Sequence, residues 1–282
     1  MKTKLIPVAI LLAARFAQAA PVPEITDTCA ACKTPPSRAS FFLQVANSSE
    51  KSESPLALSA IIPEPAVPAT YLAGIEALLD KSWPQNRTVN IVCHGHSVPA
   101  GYFQTPLVDT FNAYPHLLHE RLKAAHPNAV INVIVTSIGG ENAVQGAARF
   151  ERDVLALRPD VVTIDYALND RGVGLEKTRA AWTEMITKAK AAGIKVILLT
   201  PSPDQSAKLD DANDPLNQHA EQIRKLAAEH GVALSDSLAA FKESVRAGAK
   251  LDSLMSQINH PNRQGHDLIV GELLKWFPKH SH

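Results

Sequence analysis

The sequence predicts a three-layer α/β/α fold with a central parallel sheet of about five strands and an irregular extension before it. Two observations lead to this prediction: short β-branched runs recur from about residue 88 onward, and segments with helical spacing separate them. Neighbouring parallel strands need a crossover long enough for a helix, so this alternation indicates a sheet covered on both faces. With 45% apolar residues in 282, the chain has enough apolar surface to build such a core.

The predicted strands are five apolar runs, at residues 89–93, 130–136, 161–165, 196–200 and, more weakly, 232–234. Helical spacing predicts helices at 117–125 and 150–156 and over 176–192, which Gly193 would end. Ligands of a parallel sheet bind outside the carboxyl ends of its strands. The segments that follow each run are therefore where we expect the chemistry.

The first residues have the layout of a secretory signal peptide. Lys2 and Lys4 precede an apolar stretch at 5–14, and small residues surround a cleavage site at 17–19. This layout predicts a secreted or periplasmic protein. The expected division of the chain is a signal peptide at 1–19, a Pro-rich N-terminal extension at 20–85 and a catalytic domain at 86–282.

Prolines interrupt the extension, which argues against long regular elements there. Its pattern leaves room for one strand at 40–45 and one helix at 71–81. Cys29 and Cys32 are expected to form a local disulfide in an oxidising compartment. Cys93 lies in the first predicted strand and is expected to be a buried, small apolar residue.

Charge and hydropathy exclude two classes of partner. The 28 Lys and Arg residues balance 28 Asp and Glu residues, so no basic excess exists for neutralising the phosphates of a nucleic acid. No apolar run reaches the roughly 18 residues that a membrane-spanning helix needs. A small-molecule or carbohydrate partner remains, and the sequence carries no indication of oligomeric state.

Four residues near the predicted strand ends form a recognisable set. Ser97 follows the first run, Gly140 the second and Asn169 the third, and His260 stands before the last helical segment. In this ordered set the chain resembles the SGNH (GDSL-type) serine hydrolases, over roughly residues 88–278. The resemblance implies a flavodoxin-like sheet, esterase activity and no metal or organic cofactor.

The resemblance also assigns roles that suit ester hydrolysis. Ser97 would be the nucleophile and His260 the general base, which later acts as the acid for the leaving alcohol. The oxyanion donors would be the backbone N–H groups of Ser97 and Gly140 and the side-chain amide of Asn169. Glycine is expected at position 140 because a Cβ would hinder the approach of substrate to the backbone.

Three positions depart from the family pattern. His96 stands where the family has Asp, and Ala167 stands where it has Gly. Gln257 replaces the Asp that usually lies three residues before the histidine, and an amide cannot stabilise an imidazolium by charge. The activity would then be weaker, carried by a Ser–His pair, or supported by another carboxylate, for which Asp252 is the first choice. Contact between Gln257 and His260 is the alternative.

The expected substrate is a small acyl ester. Acetyl groups on carbohydrate are expected only by analogy with exported members of the family, which also include lipases, thioesterases and lysophospholipases. Tyr102, Phe103 and Tyr114 are candidates for lining an acyl or sugar pocket, and an ordinary core or surface role fits them equally well.

Two other functions compete with the esterase. His94 and His96 lie on the same side of an extended chain, as in many metal sites, so a metal-dependent hydrolase is one alternative. Further histidines that such a site could recruit are His116, His119 and His126. The other alternative is a carbohydrate-binding relative that has lost catalysis with the missing Asp.

Overall fold

The structure, a computed structural model, describes residues 66–277. Its centre is a five-stranded sheet in the order β2-β1-β3-β4-β5, in which every neighbouring pair is parallel. The strands are β1 (Thr88–Gly95), β2 (Val130–Val135), β3 (Val161–Asp165), β4 (Lys195–Leu199) and β5 (Ala233–Ser235). All five predicted strands are confirmed, and the strand order is the flavodoxin-like one.

Helices cover both faces of the sheet. They are α1 (Pro68–Tyr71), α2 (Ala73–Leu79), α3 (Ser97–Ala100), α4 (Tyr114–Ala125), α5 (Ala143–Asp153), α6 (Ala167–Asp170), α7 (Leu175–Ala191), α8 (Pro215–His230), α9 (Ser237–Arg246) and α10 (Arg263–Leu274). Between α9 and α10 a short antiparallel ribbon pairs β6 (Met255–Gln257) with β7 (His260–Pro261).

Two apolar clusters fill the spaces between the layers. Alternate residues of β1 point to opposite faces, so Ile91 belongs to one cluster and Val92 to the other. Both side chains are fully buried. Cys93 is also buried and free, as expected, and burial raises the pKa of its thiol to about 12.

The N-terminal helices belong to the same core as the sheet. The expected helix at 71–81 is two helices, α1 and α2, with Leu72 between them. Leu72 and Leu79 are buried in one apolar cluster, and the Tyr71 hydroxyl donates to the Val196 carbonyl at 3.1 Å. These helices precede residue 86, the expected start of the catalytic domain, yet they pack within it. The other features expected before residue 66, including the Cys29–Cys32 disulfide and the signal peptide, lie outside the described residues.

The helix after β2 begins earlier than expected. Periodicity pointed to 150–156, whereas α5 starts after Asn142, whose side-chain oxygen accepts from the N–H groups of Val144 and Gln145. This cap outweighs the weak apolar signal of the alanines in the first turns. No helix within residues 66–277 is long and apolar enough to cross a membrane.

Candidate active site

Ser97 and His260 meet at the carboxyl edge of the sheet. Ser97 is the first residue of α3, directly after β1, and His260 begins β7, two residues before Asn262 caps α10. The Ser97 Oγ and the His260 Nε2 lie 2.9 Å apart. The two residues are only 7% and 4% exposed, so water competes little for this hydrogen bond.

A backbone carbonyl holds the other nitrogen of His260. His260 Nδ1 lies 2.9 Å from the Phe103 carbonyl oxygen. Because a carbonyl can only accept, Nδ1 carries the hydrogen, and Nε2 keeps a lone pair for the Ser97 hydroxyl. Burial lowers the pKa of His260, while the hydrogen bond to the Phe103 carbonyl works in the opposite direction. The imidazole is thus oriented as a base toward Ser97, without a carboxylate behind it.

Neither side chain expected to support His260 contacts it. Asp252 is exposed and accepts from the Gln205 side-chain amide at 3.0 Å. Gln257 binds Thr105 twice, accepting from its N–H at 2.8 Å and donating to its Oγ1 at 3.3 Å. The place expected for a supporting side chain is therefore occupied by the Phe103 carbonyl. Gln257 does not contact His260 but binds Thr105, in the loop that supplies this carbonyl.

The loop between α3 and α4 presents the carbonyl through its own backbone hydrogen bonds. Phe103 N–H donates to the Leu107 carbonyl at 3.1 Å, and Leu107 N–H donates to the Gln104 carbonyl at 2.7 Å. The Phe103 ring stacks on the buried imidazole of His266, with centroids 5.1 Å apart. The loop is consequently held at its base by packing and at its tip by the Gln257 contacts to Thr105.

The turn after β2 brings Gly140 to the same edge. Ile138 N–H donates to the Gly95 carbonyl at 3.0 Å, and Glu141 N–H closes the turn on the Ile138 carbonyl at 3.3 Å. Gly140 has φ +83°, as the third residue of a type II turn requires. A Cβ on Gly140 would meet no protein atom within 4 Å, so the positive φ is the structural reason for glycine here, and the expected hindrance to substrate stays a prediction.

The remaining candidate oxyanion donors adjoin this turn. Asn169 lies in α6 after β3, and its side-chain amide donates to the Glu141 carbonyl at 2.8 Å. The N–H groups of Ser97 and Gly140 donate to no protein acceptor within the described part of the chain. At this edge of the sheet, two backbone donors therefore have no acceptor among the described residues, and the Asn169 amide connects α6 to the turn that carries one of them.

Arg149 stabilises the turn that includes Gly140 by binding residues on both sides of it. Its guanidinium binds both oxygens of the Glu141 carboxylate, with the shortest contact at 2.6 Å, and also donates to the Thr136 carbonyl at 2.6 Å. The Arg149 side chain is only 8% exposed. Charge-assisted, bidentate contacts of this kind fix geometry as well as add energy. Arg149 therefore holds both ends of the segment that includes Gly140.

A second imidazole, that of His96, lies beneath Ser97. His96 Nδ1 accepts from the Val98 N–H at 3.2 Å, which caps α3, and lies 3.4 Å from Ser97 Oγ. On the far side, His96 Nε2 lies 3.4 Å from Asp165 Oδ1 at the end of β3. Both His96 and Asp165 are buried.

His94 has no nitrogen free for a metal. Its Nε2 lies 3.1 Å from the Gly146 carbonyl and must therefore carry the hydrogen, and its Nδ1 accepts from the Thr136 hydroxyl at 2.9 Å. Burial lowers the pKa of His94 to about 4. Among residues 66–277, no group of three or more His, Cys, Asp or Glu side chains has the arrangement of a metal site. The His94–His96 pair thus serves two separate hydrogen-bond networks.

The three aromatic candidates take different places. Tyr114 is fully buried in the core, where its hydroxyl donates to Asp165 Oδ2 at 3.3 Å. Phe103 is buried and contributes its carbonyl. Tyr102 is half-buried, with its ring centroid 6.0 Å from that of His260, and a Cβ on Gly139 would lie 3.0 Å from its ring. Of the three, Tyr102 is the side chain that borders the Ser97–His260 pair.

The Phe103 carbonyl and Asp165 were absent from the sequence-based site. A carbonyl belongs to every residue, so no residue type could have indicated which one faces His260. Asp165 carried a usable signal, because it is an acid at the end of a mostly apolar strand, where the chemistry of a parallel sheet is expected. The pairing of His96 N–H with the Asp165 carbonyl, at 3.2 Å, places the two residues side by side.

A hydroxyl bound to a correctly oriented imidazole at the carboxyl edge of a flavodoxin-like sheet is the arrangement of a serine hydrolase acting on ester bonds. The sequence model of the GDSL-like Lipase/Acylhydrolase family matches residues 93–268, which is more than half of the chain. The chain belongs to this family, and it is an enzyme of the serine hydrolase class.

Known relatives include carbohydrate esterases. An acetylxylan esterase from Geobacillus stearothermophilus is 25% identical over 166 residues, which span 55% of this chain and 75% of that protein. The crystal structure of the acetylxylan esterase Axe2 from the same organism superposes with a TM-score of 0.58 at 22% identity, covering 67% of this chain and 93% of that one. A two-domain esterase active on acetylated mannans gives a TM-score of 0.59 at 20% identity, over 73% and 52% of the two chains. These superpositions confirm the fold.

Proposed function

We propose that the protein is an exported esterase that removes small acyl groups, in particular acetyl groups on carbohydrate, through an acyl-Ser97 intermediate. The observation that carries the proposal is the 2.9 Å contact between Ser97 Oγ and a His260 whose other nitrogen is held by the Phe103 carbonyl. This tautomer is the one that can take a proton from the hydroxyl.

The reaction follows from these positions. Ser97 Oγ bonds to the ester carbonyl carbon while its proton passes to His260 Nε2, and the developing oxyanion accepts from the free N–H groups of Ser97 and Gly140 and from the Asn169 amide. His260 then returns the proton to the departing alcohol. In the second half, water takes the place of the alcohol, and His260 removes its proton as it attacks the acyl group on Ser97.

Two observations support an acetylated carbohydrate as substrate. The relatives named above act on acetylated xylan or mannan. In addition, apolar side chains on three site segments are exposed: Leu107 (56%) in the loop that carries the Phe103 carbonyl, Ile138 (46%) in the turn that includes Gly140 and Ile258 (54%) between β6 and β7. Exposed apolar side chains around a site favour contact with a partner, and sugar rings present apolar faces to such surfaces. These three exposed side chains favour a substrate with a bulky alcohol part, such as a sugar, and a small acyl group.

The test is hydrolysis of p-nitrophenyl acetate, with a serine-directed phosphonate and with EDTA in parallel. We expect turnover that the phosphonate abolishes and EDTA leaves intact, and we expect the phosphonate to be bound covalently to Ser97. The Ser97→Ala variant should fold as the wild type does and release no p-nitrophenol above background. Loss with EDTA favours the metal-dependent alternative, and absence of turnover favours the binding protein. Acetyl, butyryl and longer esters, with acetylated xylan and mannan, then define the substrate.

Export has a separate test, because its support is the charge and hydropathy pattern of residues 1–19. Expression of the full chain in a bacterial host, followed by fractionation and N-terminal sequencing, should yield a product outside the cytoplasm that starts near residue 20. An uncleaved cytoplasmic product would contradict the proposal for export and leave the esterase proposal untouched.

A further inference from the structure

The Ser97 hydroxyl faces two imidazoles. His260 Nε2 lies 2.9 Å from Oγ on one side, and His96 Nδ1 lies 3.4 Å from the same oxygen on the other. The esterase mechanism described above uses only the first. His96 has no exposed surface, so its side chain faces only protein.

The hydrogen bonds of His96 define its protonation. The Val98 N–H donates to Nδ1 at 3.2 Å, so Nδ1 carries a lone pair and the hydrogen resides on Nε2. The ring is therefore neutral, and the nitrogen that accepts from Val98 also lies 3.4 Å from Ser97 Oγ. Capping α3 does not by itself account for an imidazole, because Asp or Asn accepts from the same N–H equally well.

Behind His96 lies a carboxylate whose nearest contact is poorly aligned. His96 Nε2 and Asp165 Oδ1 are 3.4 Å apart, yet neither atom makes a hydrogen bond within the described residues. The other oxygen of Asp165 accepts from the Tyr114 hydroxyl at 3.3 Å. Gly95 permits this close approach of the two strands, since a Cβ there would lie 2.5 Å from the Asp165 carbonyl oxygen.

A buried carboxylate beside a neutral imidazole is costly at rest and favourable once the imidazole gains a proton. An interaction that is weak in the resting enzyme and strong when charge develops lowers the barrier of the step that develops it. The hydroxyl that can supply the proton is that of Ser97. The arrangement Asp165–His96–Ser97 thus has the order of groups, carboxylate, imidazole and hydroxyl, that His260 lacks.

We propose that Asp165 and His96 form a second base for Ser97, one that assists formation of the acyl-enzyme. The inference rests on the proposed function, because it takes Ser97 as the nucleophile. In this step the Oγ–H bond breaks and its proton passes to His96 Nδ1, which gives up the Val98 contact. The Oγ electron pair bonds to the ester carbonyl carbon, and the carbonyl π pair moves to the oxygen. The resulting imidazolium pairs with Asp165.

His96 serves only the first half of the reaction. Because it is fully buried, it neither protonates a leaving alcohol nor reaches the attacking water. While His96 holds the Ser97 proton, His260 Nε2 carries none, so this route serves esters whose leaving group departs as an anion. His96 returns its proton to Ser97 Oγ when water cleaves the acyl group, and esters of ordinary alcohols are cleaved with His260 as the base. This division allows the two bases to be separated. With p-nitrophenyl acetate the leaving group departs as an anion and needs no proton, so acylation can proceed without His260 while deacylation cannot.

The experiment is pre-steady-state release of p-nitrophenol by the His260→Ala variant. We expect one burst per enzyme, slower than the wild-type acylation by about 10²–10⁴-fold, with acetyl-Ser97 accumulating in the mass spectrum. Adding His96→Asn, which keeps an oxygen for the Val98 N–H, should slow the burst by a further factor on the order of 10 or more. Adding Asp165→Asn should do the same. The matched control adds His94→Gln, another buried imidazole of β1, and should leave the burst unchanged.

The outcomes separate the two proposals. If the wild type neither turns over nor takes up the phosphonate on Ser97, the proposed function fails. If the wild type is acylated but His260→Ala shows no burst, or a burst that His96→Asn leaves unchanged, the second base is overturned. A measurement independent of folding is ¹⁵N NMR of the histidine rings in the wild type. We expect the His96 hydrogen on Nε2, and its presence on Nδ1 would also overturn the proposal.

Discussion

Removing the Gln257 side chain tests whether a carbonyl, rather than a carboxylate, supports His260. Gln257 does not contact the imidazole, but its amide holds Thr105 in the loop that carries the Phe103 carbonyl. In Gln257→Ala this loop loses its contacts with β6. The carbonyl then spends less time at its position beside His260 Nδ1, and the active tautomer and orientation are less populated.

The size of the effect follows from the two contacts. One is a 2.8 Å bond from the Thr105 N–H, and the other a longer 3.3 Å bond to its hydroxyl. A net hydrogen bond stabilises by about 0.5–1.5 kcal/mol, and Thr105 is exposed, so together they restrain the loop by about 1–2 kcal/mol. A free energy of about 1.4 kcal/mol is tenfold in rate, which places the fall in kcat at roughly 5- to 30-fold.

The assay is steady-state hydrolysis of p-nitrophenyl acetate with thermal unfolding of the same samples. We expect the fall in kcat with a small change in KM and Tm, because the contacts lie at the surface and away from the oxyanion donors. Gln257→Glu keeps an acceptor for Thr105 N–H and should retain most of the activity.

The control is Asp252→Asn, whose parent side chain binds only Gln205 among the described residues and should leave kcat unchanged. The reverse ranking, with Asp252→Asn inactive and Gln257→Ala active, would refute the role of the carbonyl.

Four further outcomes follow from the same geometry. Asn169→Ala removes the proposed oxyanion donor and the hydrogen bond to the Glu141 carbonyl, so kcat should fall by about 10²–10³-fold in the same assay. An unchanged kcat would exclude Asn169 from the oxyanion site. Arg149→Ala leaves the Glu141 carboxylate unpaired and should lower the free energy of unfolding in urea by about 3–5 kcal/mol; a change near zero would show that the ion pair is not formed. The proposed mechanism uses neutral His260 as the base, and burial lowers the pKa of His260, so kcat/KM should decline on acidification with a midpoint below 6.5. A midpoint above that value would contradict the burial argument. Burial lowers the pKa of His94 to about 4 in the folded state, so neutral His94 stabilises the fold above its unfolded-state pKa near 6.5, and this stability is lost as the pH falls toward 4. His94→Gln should therefore flatten the pH dependence of the free energy of unfolding between these values. An unaltered slope would refute this.

Much of the framework could be predicted from local sequence. The central strands β3 and β4 are mostly apolar runs because the inner strands of a parallel sheet are buried on both faces, and β1 and β3 match their predicted runs closely. Helix boundaries were less well predicted where a cap decides them. The start of α5 depends on the Asn142 side chain and the turn before it, which periodicity does not report.

In the site too, the residue types could be predicted from the sequence, and the contacts that support them could not. The order of Ser97, Gly140, Asn169 and His260 along the chain, each near a strand end or the last helix, was sufficient to predict that they gather at one edge, since parallel strands end together. Their residue types carry the chemistry, and residue types are what a sequence records. The supporting groups were predicted wrongly, because Asp252 and Gln257 were judged by side-chain chemistry and distance along the chain, whereas their orientation is a property of the folded loops.

The sequence by itself determined the α/β architecture and the four residues that carry the family resemblance, because hydrophobic periodicity and residue type are local properties. Only the tertiary structure decided what lies behind each imidazole. A backbone carbonyl looks the same at every residue until the chain folds, and Phe103 meets His260 across 157 positions. Likewise, His96 and Asp165 become neighbours only through the pairing of β1 with β3, and no local pattern shows which imidazole the Asp165 carboxyl group faces.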